Sequence, residues 1–96
     1  MILEKLLDEV IGTRSKVGVL RLLTMGETKT GSQIAKEIGM AVWACHKTLK
    51  DLVSLGVLDL VNSGKSHLYR MNRESYLARE ILIPLFQREA SLFEQF

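Results

Sequence analysis

Lys47 and Lys50 stand three residues apart in this 96-residue chain, and Trp43 and His46 precede them at three- and four-residue spacing. On a helix that spacing puts all four side chains on one face. Two ammonium groups on such a face suit phosphates or guanine edges, and an indole beside Val42 suits thymine methyls or sugars. Trp43 has a second use, packing against a neighbouring hairpin or a partner subunit. A further basic set, Lys65, His67 and Arg70, lies about twenty residues on, and positive side chains there suit phosphates or a narrow minor groove. Arg14 and Lys16 begin one candidate helix and Ser32 and Gln33 another; both places can hold a phosphate through amides and side chains.

Other reactive residues point away from catalysis. Cys45 shares an apolar stripe with Leu49, Leu52 and Val53, which reads as a buried structural thiol; a redox sensor needs exposure or a positive neighbour, and His46 is the one candidate for that. One cysteine with His46 and His67 on different elements makes no closed ligand set, so neither a metal nor another cofactor is expected. The run Asn62-Ser63-Gly64-Lys65-Ser66 lacks the preceding glycine and following helix of a P-loop. With no nucleophile motif and no framed carboxylate pair, the chain reads as a non-enzyme.

Composition agrees with a binding role. Hydrophobic residues are 47% and charged residues 25%, an ordinary globular balance. No apolar run approaches a membrane span, no secretory signal opens the chain, and a lone cysteine excludes an internal disulfide, so a cytoplasmic protein is expected. The net charge of +2 is unevenly spread: residues 13–73 carry +6, whereas residues 1–12 and 74–96 carry −2 each. A basic centre between acidic ends is what a phosphate-facing surface requires.

The elements that must position these residues follow from periodicity. Ile2, Leu3, Leu6, Leu7 and Val10 mark an amphipathic helix ended by Gly12, and Thr13 or Ser15 can cap a second helix carrying Val17, Leu20 and Leu23. Thr30 to Gln33 spells a capping box opening a short helix, residues 32–38, which Gly39 is placed to end. A further helix over about 41–55 begins at once and stops at Gly56. Residues 57–61 and 67–71 then read as strands around a turn-forming cluster, forming a wing over about 57–71. Asn72 can cap a last helix in which Pro84 predicts a kink or break. The order helix, turn, helix, hairpin predicts a mainly α chain with a small β-hairpin (α+β), a winged helix-turn-helix with a long C-terminal helix.

The stretches Thr30-Gly31-Ser32-Gln33-Ile34-Ala35-Lys36-Glu37-Ile38-Gly39 and His46-Lys47-Thr48-Leu49-Lys50-Asp51-Leu52-Val53-Ser54-Leu55-Gly56-Val57-Leu58 resemble winged-helix regulators related to the arsenic-responsive and multiple-antibiotic-resistance repressors. Leu68-Tyr69-Arg70-Met71-Asn72 matches the end of their wing. The resemblance covers residues 13 to about 73. It implies a single domain over 1–96 that binds double-stranded DNA in a sequence-specific way, with the 41–55 helix in the major groove and an effector that the residues do not identify. The chain also resembles, over nearly its whole length, winged-helix modules that precede a nucleotidyltransferase domain. That leaves an accessory or protein-interaction module as the alternative, with the last helix as a connector. The sequence departs from the regulators at Met40-Ala41-Val42-Trp43-Ala44-Cys45, where they carry polar residues. Both terminal segments, 1–12 and 74–96, carry more apolar surface than one small core covers, so Leu3, Leu6, Leu7, Ile81, Leu82, Leu85, Phe86 and Phe93 are expected at a homodimer interface.

Overall fold

The computed structural model describes residues 2–26 and 28–94, with the backbone alone at residues 2–4, 6, 7 and 93. Helices α1 (Ile2–Ile11) and α2 (Arg14–Leu23) lead to a short strand β1 (Lys29–Thr30), then α3 (Gly31–Ile38) and α4 (Val42–Ser54). Strands β2 (Leu58–Ser63) and β3 (Ser66–Met71) follow. A π turn over Ala78–Leu82 then runs into α5 (Ile83–Glu94).

Local chemistry sets most boundaries. The Lys16 amide donates to Thr13 Oγ1 at 3.2 Å, so Thr13 rather than Ser15 caps α2. At α3 the capping box is complete: the Gln33 amide donates to Thr30 Oγ1 at 3.2 Å and the Thr30 amide to Gln33 Oε1 at 2.9 Å. Gly39 ends α3 with φ 73, a left-handed conformation that turns the chain within a residue or two of α4. The Met40 amide closes that turn on Ala35 O at 3.0 Å.

The hairpin is tighter than the sequence predicts. The strands pair through Ser63↔Ser66, leaving Gly64 and Lys65 as the whole turn. β1 adds an edge to β3, through Lys29↔Tyr69 and Thr30↔Leu68, giving the antiparallel order β1-β3-β2. Two residues carry no readable periodicity, so this strand has no sequence signal.

One hydrophobic core joins the helices to the sheet. Leu20 and Leu23 of α2, Ile34 of α3, Leu49 and Leu52 of α4 and Val57 before the sheet are fully or almost fully buried, with Val10 of α1 beside them. Tyr69 and Met71 of β3 close it from the sheet side.

The C-terminal stretch corrects one expectation, the cap, and gives the irregularity expected at Pro84 the form of a π turn. Asn72 does not cap the last helix. Its Oδ1 accepts from the Glu74 amide at 3.1 Å, and its Nδ2 donates to Gly56 O at 2.9 Å, fastening the end of the hairpin to the end of α4. Ser75 caps instead, accepting from the Ala78 amide at 3.3 Å. Pro84 has no N–H, and its ring would meet the carbonyl of Glu80 in a regular α-helix. The preceding turn widens, with the Ile83 amide reaching Ala78 O, so the helix continues through a π turn.

Of the residues expected at a dimer interface, Leu82 and Phe86 are covered by the chain's own core, at 0% and 6% exposure, and Ile81 packs partly buried beside them. A helix returning across its own subunit hides this stripe without a partner. Leu85 is 49% exposed, and Leu92 joins it on the surface. The side chains of Leu3, Leu6, Leu7 and Phe93 lie outside the described residues. Arg21 of α2 grips Glu89 of α5 with two hydrogen bonds, at 2.6 and 2.9 Å, and lies 5.6 Å from the Phe86 ring centroid. That pairing holds the Glu89 carboxyl below the usual carboxylate range.

Removing a fully buried leucine loses its transfer free energy and leaves a cavity. Leu82→Ala is expected to lower the unfolding free energy by about 2–5 kcal/mol in a urea titration. A change well below 1 kcal/mol would show that Leu82 does not complete the subunit's core.

Candidate nucleic-acid interface

Burial of one side of α4 determines what the other side presents. Cys45, Leu49 and Leu52 are fully buried and Thr48 nearly so. The opposite face carries Val42, Trp43, His46, Lys47 and Lys50, all exposed. Trp43 is 77% exposed, so its indole does not pack on the chain's own hairpin; Val42 is 47% exposed. Ala41, the residue before α4, lies in the β region and makes no side-chain cap. Buried Cys45 places Sγ 3.7 Å from Gly31 O, and burial pushes its thiol up, so it is a protonated weak donor within the core.

His46 turns toward the start of α3. A Cβ on Gly31 would stand 3.1 Å from His46 Cε1 and 3.3 Å from Nε2, so any larger residue there would press on the ring and make it give by a few tenths of an ångström. The hairpin tip meets the same place. A cleft of about 480 Å³ is lined by Thr30, Gly31, Ser32, His46, Lys65, Ser66 and His67, drawn from β1, α3, α4 and the hairpin. None of these residues is a carboxylate. Four residues expected from the sequence, Ser32, His46, Lys65 and His67, thus come together; Thr30, Gly31 and Ser66 join them without having been singled out as binding residues. The Gly31–His46 approach joins positions fifteen apart on different helices, which no local pattern reveals.

The remaining expected residues sit elsewhere or are already engaged. Strand alternation puts Arg70 on the face opposite His67, where it pairs with Asp59 at 3.6 Å, beside Arg73 and Glu74. Both members of that ion pair are more than one-third exposed, so it contributes little to stability. Gln33 uses its side-chain oxygen in the capping box. Lys16 donates through Nζ to Glu9 O at 2.7 Å, satisfying a carbonyl at the end of α1. Arg14 is exposed beside the α3–α4 turn, along a shallow groove with Gly18, Leu22, Ile38 and Gly39.

Among the described residues no three His, Cys, Asp or Glu side chains gather as metal ligands, and no helix is long and apolar enough to cross a membrane.

No family model and no curated protein sequence matches the chain. Solved structures do. The AntR antimony-specific transcriptional repressor superposes with a TM-score of 0.75 at 17% identity, over 98% of this chain and 78% of its own. The transcriptional repressor BigR from Xylella fastidiosa gives 0.74 at 16% identity, over 90% of this chain and 84% of its own. A homodimeric winged helix-turn-helix DNA-binding domain from Mycobacterium bovis, a possible ArsR-family regulator, gives 0.67 at 22% identity, over 98% of this chain and 83% of its own. At these identities the likeness is one of fold, and with AntR and the Mycobacterium bovis domain it covers nearly the whole chain. The chain is a winged helix-turn-helix protein with the fold of these transcriptional regulators.

Proposed function

We propose that the chain binds double-stranded DNA as a transcriptional regulator, with the exposed face of α4 in the major groove and the hairpin tip on flanking backbone or minor groove. The observation that carries this reading is the convergence of His46, Lys65, His67 and Ser32 on one carboxylate-free cleft, with Lys47 and Lys50 exposed on the same helix as His46. Cations from two elements around a helix start suit successive phosphates of a duplex. The +6 charge of residues 13–73 favours the same ligand, and two of the structural relatives are named as repressors. The exposed Val42–Trp43 pair would also suit a protein partner, the alternative of an interaction or accessory module.

Salt separates the two readings. Each neutralised phosphate releases condensed counterions, so with roughly 6 contacts per dimer the affinity for duplex DNA is expected to fall about a thousandfold between ~50 and ~200 mM salt. Replacing Lys47 and Lys50 together by alanine is expected to weaken binding and flatten the slope. Salt-independent binding, or none at low salt, would contradict the DNA reading.

The wing divides into a binding tip and a structural base. Lys65→Ala is expected to weaken all duplexes by similar factors, because backbone contacts carry little sequence information. Arg70→Ala, whose guanidinium faces Asp59, is expected to weaken binding less. Fluorescence anisotropy with several unrelated duplexes tests this, and a larger loss at Arg70 would reverse the assignment.

We also propose that two copies pair through the terminal helices, setting their α4 helices about one DNA turn, ~34 Å, apart. Exposed Leu85 and Leu92 support it, as does the homodimeric state of the Mycobacterium bovis relative. Sedimentation equilibrium at micromolar concentration is expected to give a dimer that Leu85→Glu dissociates without unfolding. A monomer of 10.8 kDa in the unsubstituted protein would refute the pairing.

A further inference from the structure

The solvent face of α4 changes character along its length. His46, Lys47 and Lys50 make its later turns polar, whereas the first turn offers Val42 and Trp43, 47% and 77% exposed, flanked by Ala41 and Ala44. Across residues 41–44 the side chains hold one hydrogen-bonding group, the donor-only indole N–H. This end of the helix therefore lacks the bidentate side chains that read guanine or adenine edges. Among the groups a base pair presents in the major groove, the 5-methyl of thymine is the apolar one. We infer that Val42 and Trp43 form an apolar reading head for thymine methyl groups, continuous with the cationic face that holds the phosphates. The inference rests on the proposed DNA binding and names the base chemistry that α4 reads.

Both side chains are free to serve. Trp43 meets no part of its own hairpin closely enough to be covered, and the buried residues of α4 lie on the other side of the helix. The indole is rigid, so little conformational freedom is lost on contact. Burial of one methyl group amounts to about fourfold in affinity. Each methyl read is therefore expected to be measurable one base at a time.

The test uses the full chain and duplexes selected by it from a random 30-base-pair pool. In the selected duplex each thymine is replaced singly by deoxyuridine, which keeps every hydrogen bond and removes only the methyl. One or more replacements per half-site are expected to weaken binding about three- to tenfold. Replacing Val42 and Trp43 together by alanine is expected to abolish that thymine–uracil difference while keeping salt-dependent binding, and Trp43→Phe alone to retain part of it. Equal affinity for all uracil-substituted duplexes, or a methyl effect that survives replacement of both Val42 and Trp43 by alanine, would overturn the inference and leave the DNA reading standing. A pool that converges on no sequence would overturn it too. Absence of any duplex binding would remove both. Trp43→Ala binding DNA as the unsubstituted protein does, while losing a protein ligand, would assign the patch to a protein partner.

Discussion

Burial of the Cys45–Leu49–Leu52 stripe is the constraint on which the rest of the molecule depends. A fully buried leucine is worth about 1.5–3 kcal/mol relative to exposure. A slip of α4 by one residue, about 100° around its axis, would take both leucines out of the core. The helix is therefore held in one rotational setting, and its opposite face is determined with it. Trp43, Lys47 and Lys50 point to solvent because the opposite face is buried, and His46 turns from that face toward α3.

The same constraint sets the cleft. Gly39 turns α3 into α4 in so few residues that their packing is nearly dictated, and Gly31 then admits the His46 ring against the start of α3. Asn72 ties the hairpin's end to Gly56 O, and β1 pairs with β3, so the hairpin leaves the core at a defined angle. A two-residue turn keeps Lys65 at its tip. Loops of this length leave little freedom, so the backbone that carries the basic groups is held in place, which would lower the ordering cost of the proposed binding.

Much of this was legible because it is written in local chemistry. The Thr30–Gln33 capping box, the Gly39 stop, the α4 stripe and the hairpin all involve residues within a few positions of one another. What the sequence concealed was relational. β1 exists only because β3 offers a free edge. Ser75 displaces Asn72 as the cap because Asn72 is engaged by Gly56 across the fold. Leu82 and Phe86 have the same apolar character as Leu85, and only the path of the helix decides that the first two face inward. The Arg70 assignment followed its charge, while strand alternation and Asp59 took it to the other face of the hairpin.

The surface proposed to receive duplex DNA is a contiguous one, the exposed face of α4 with the tip of the hairpin. Amide chemical-shift mapping during titration with a short duplex at low salt tests it most directly. Shifts are expected to concentrate over residues 42–50, 30–32 and 64–67, with α5 little changed. Shifts centred on α5, or spread over the outer face around Asp59 and Glu74, would contradict it.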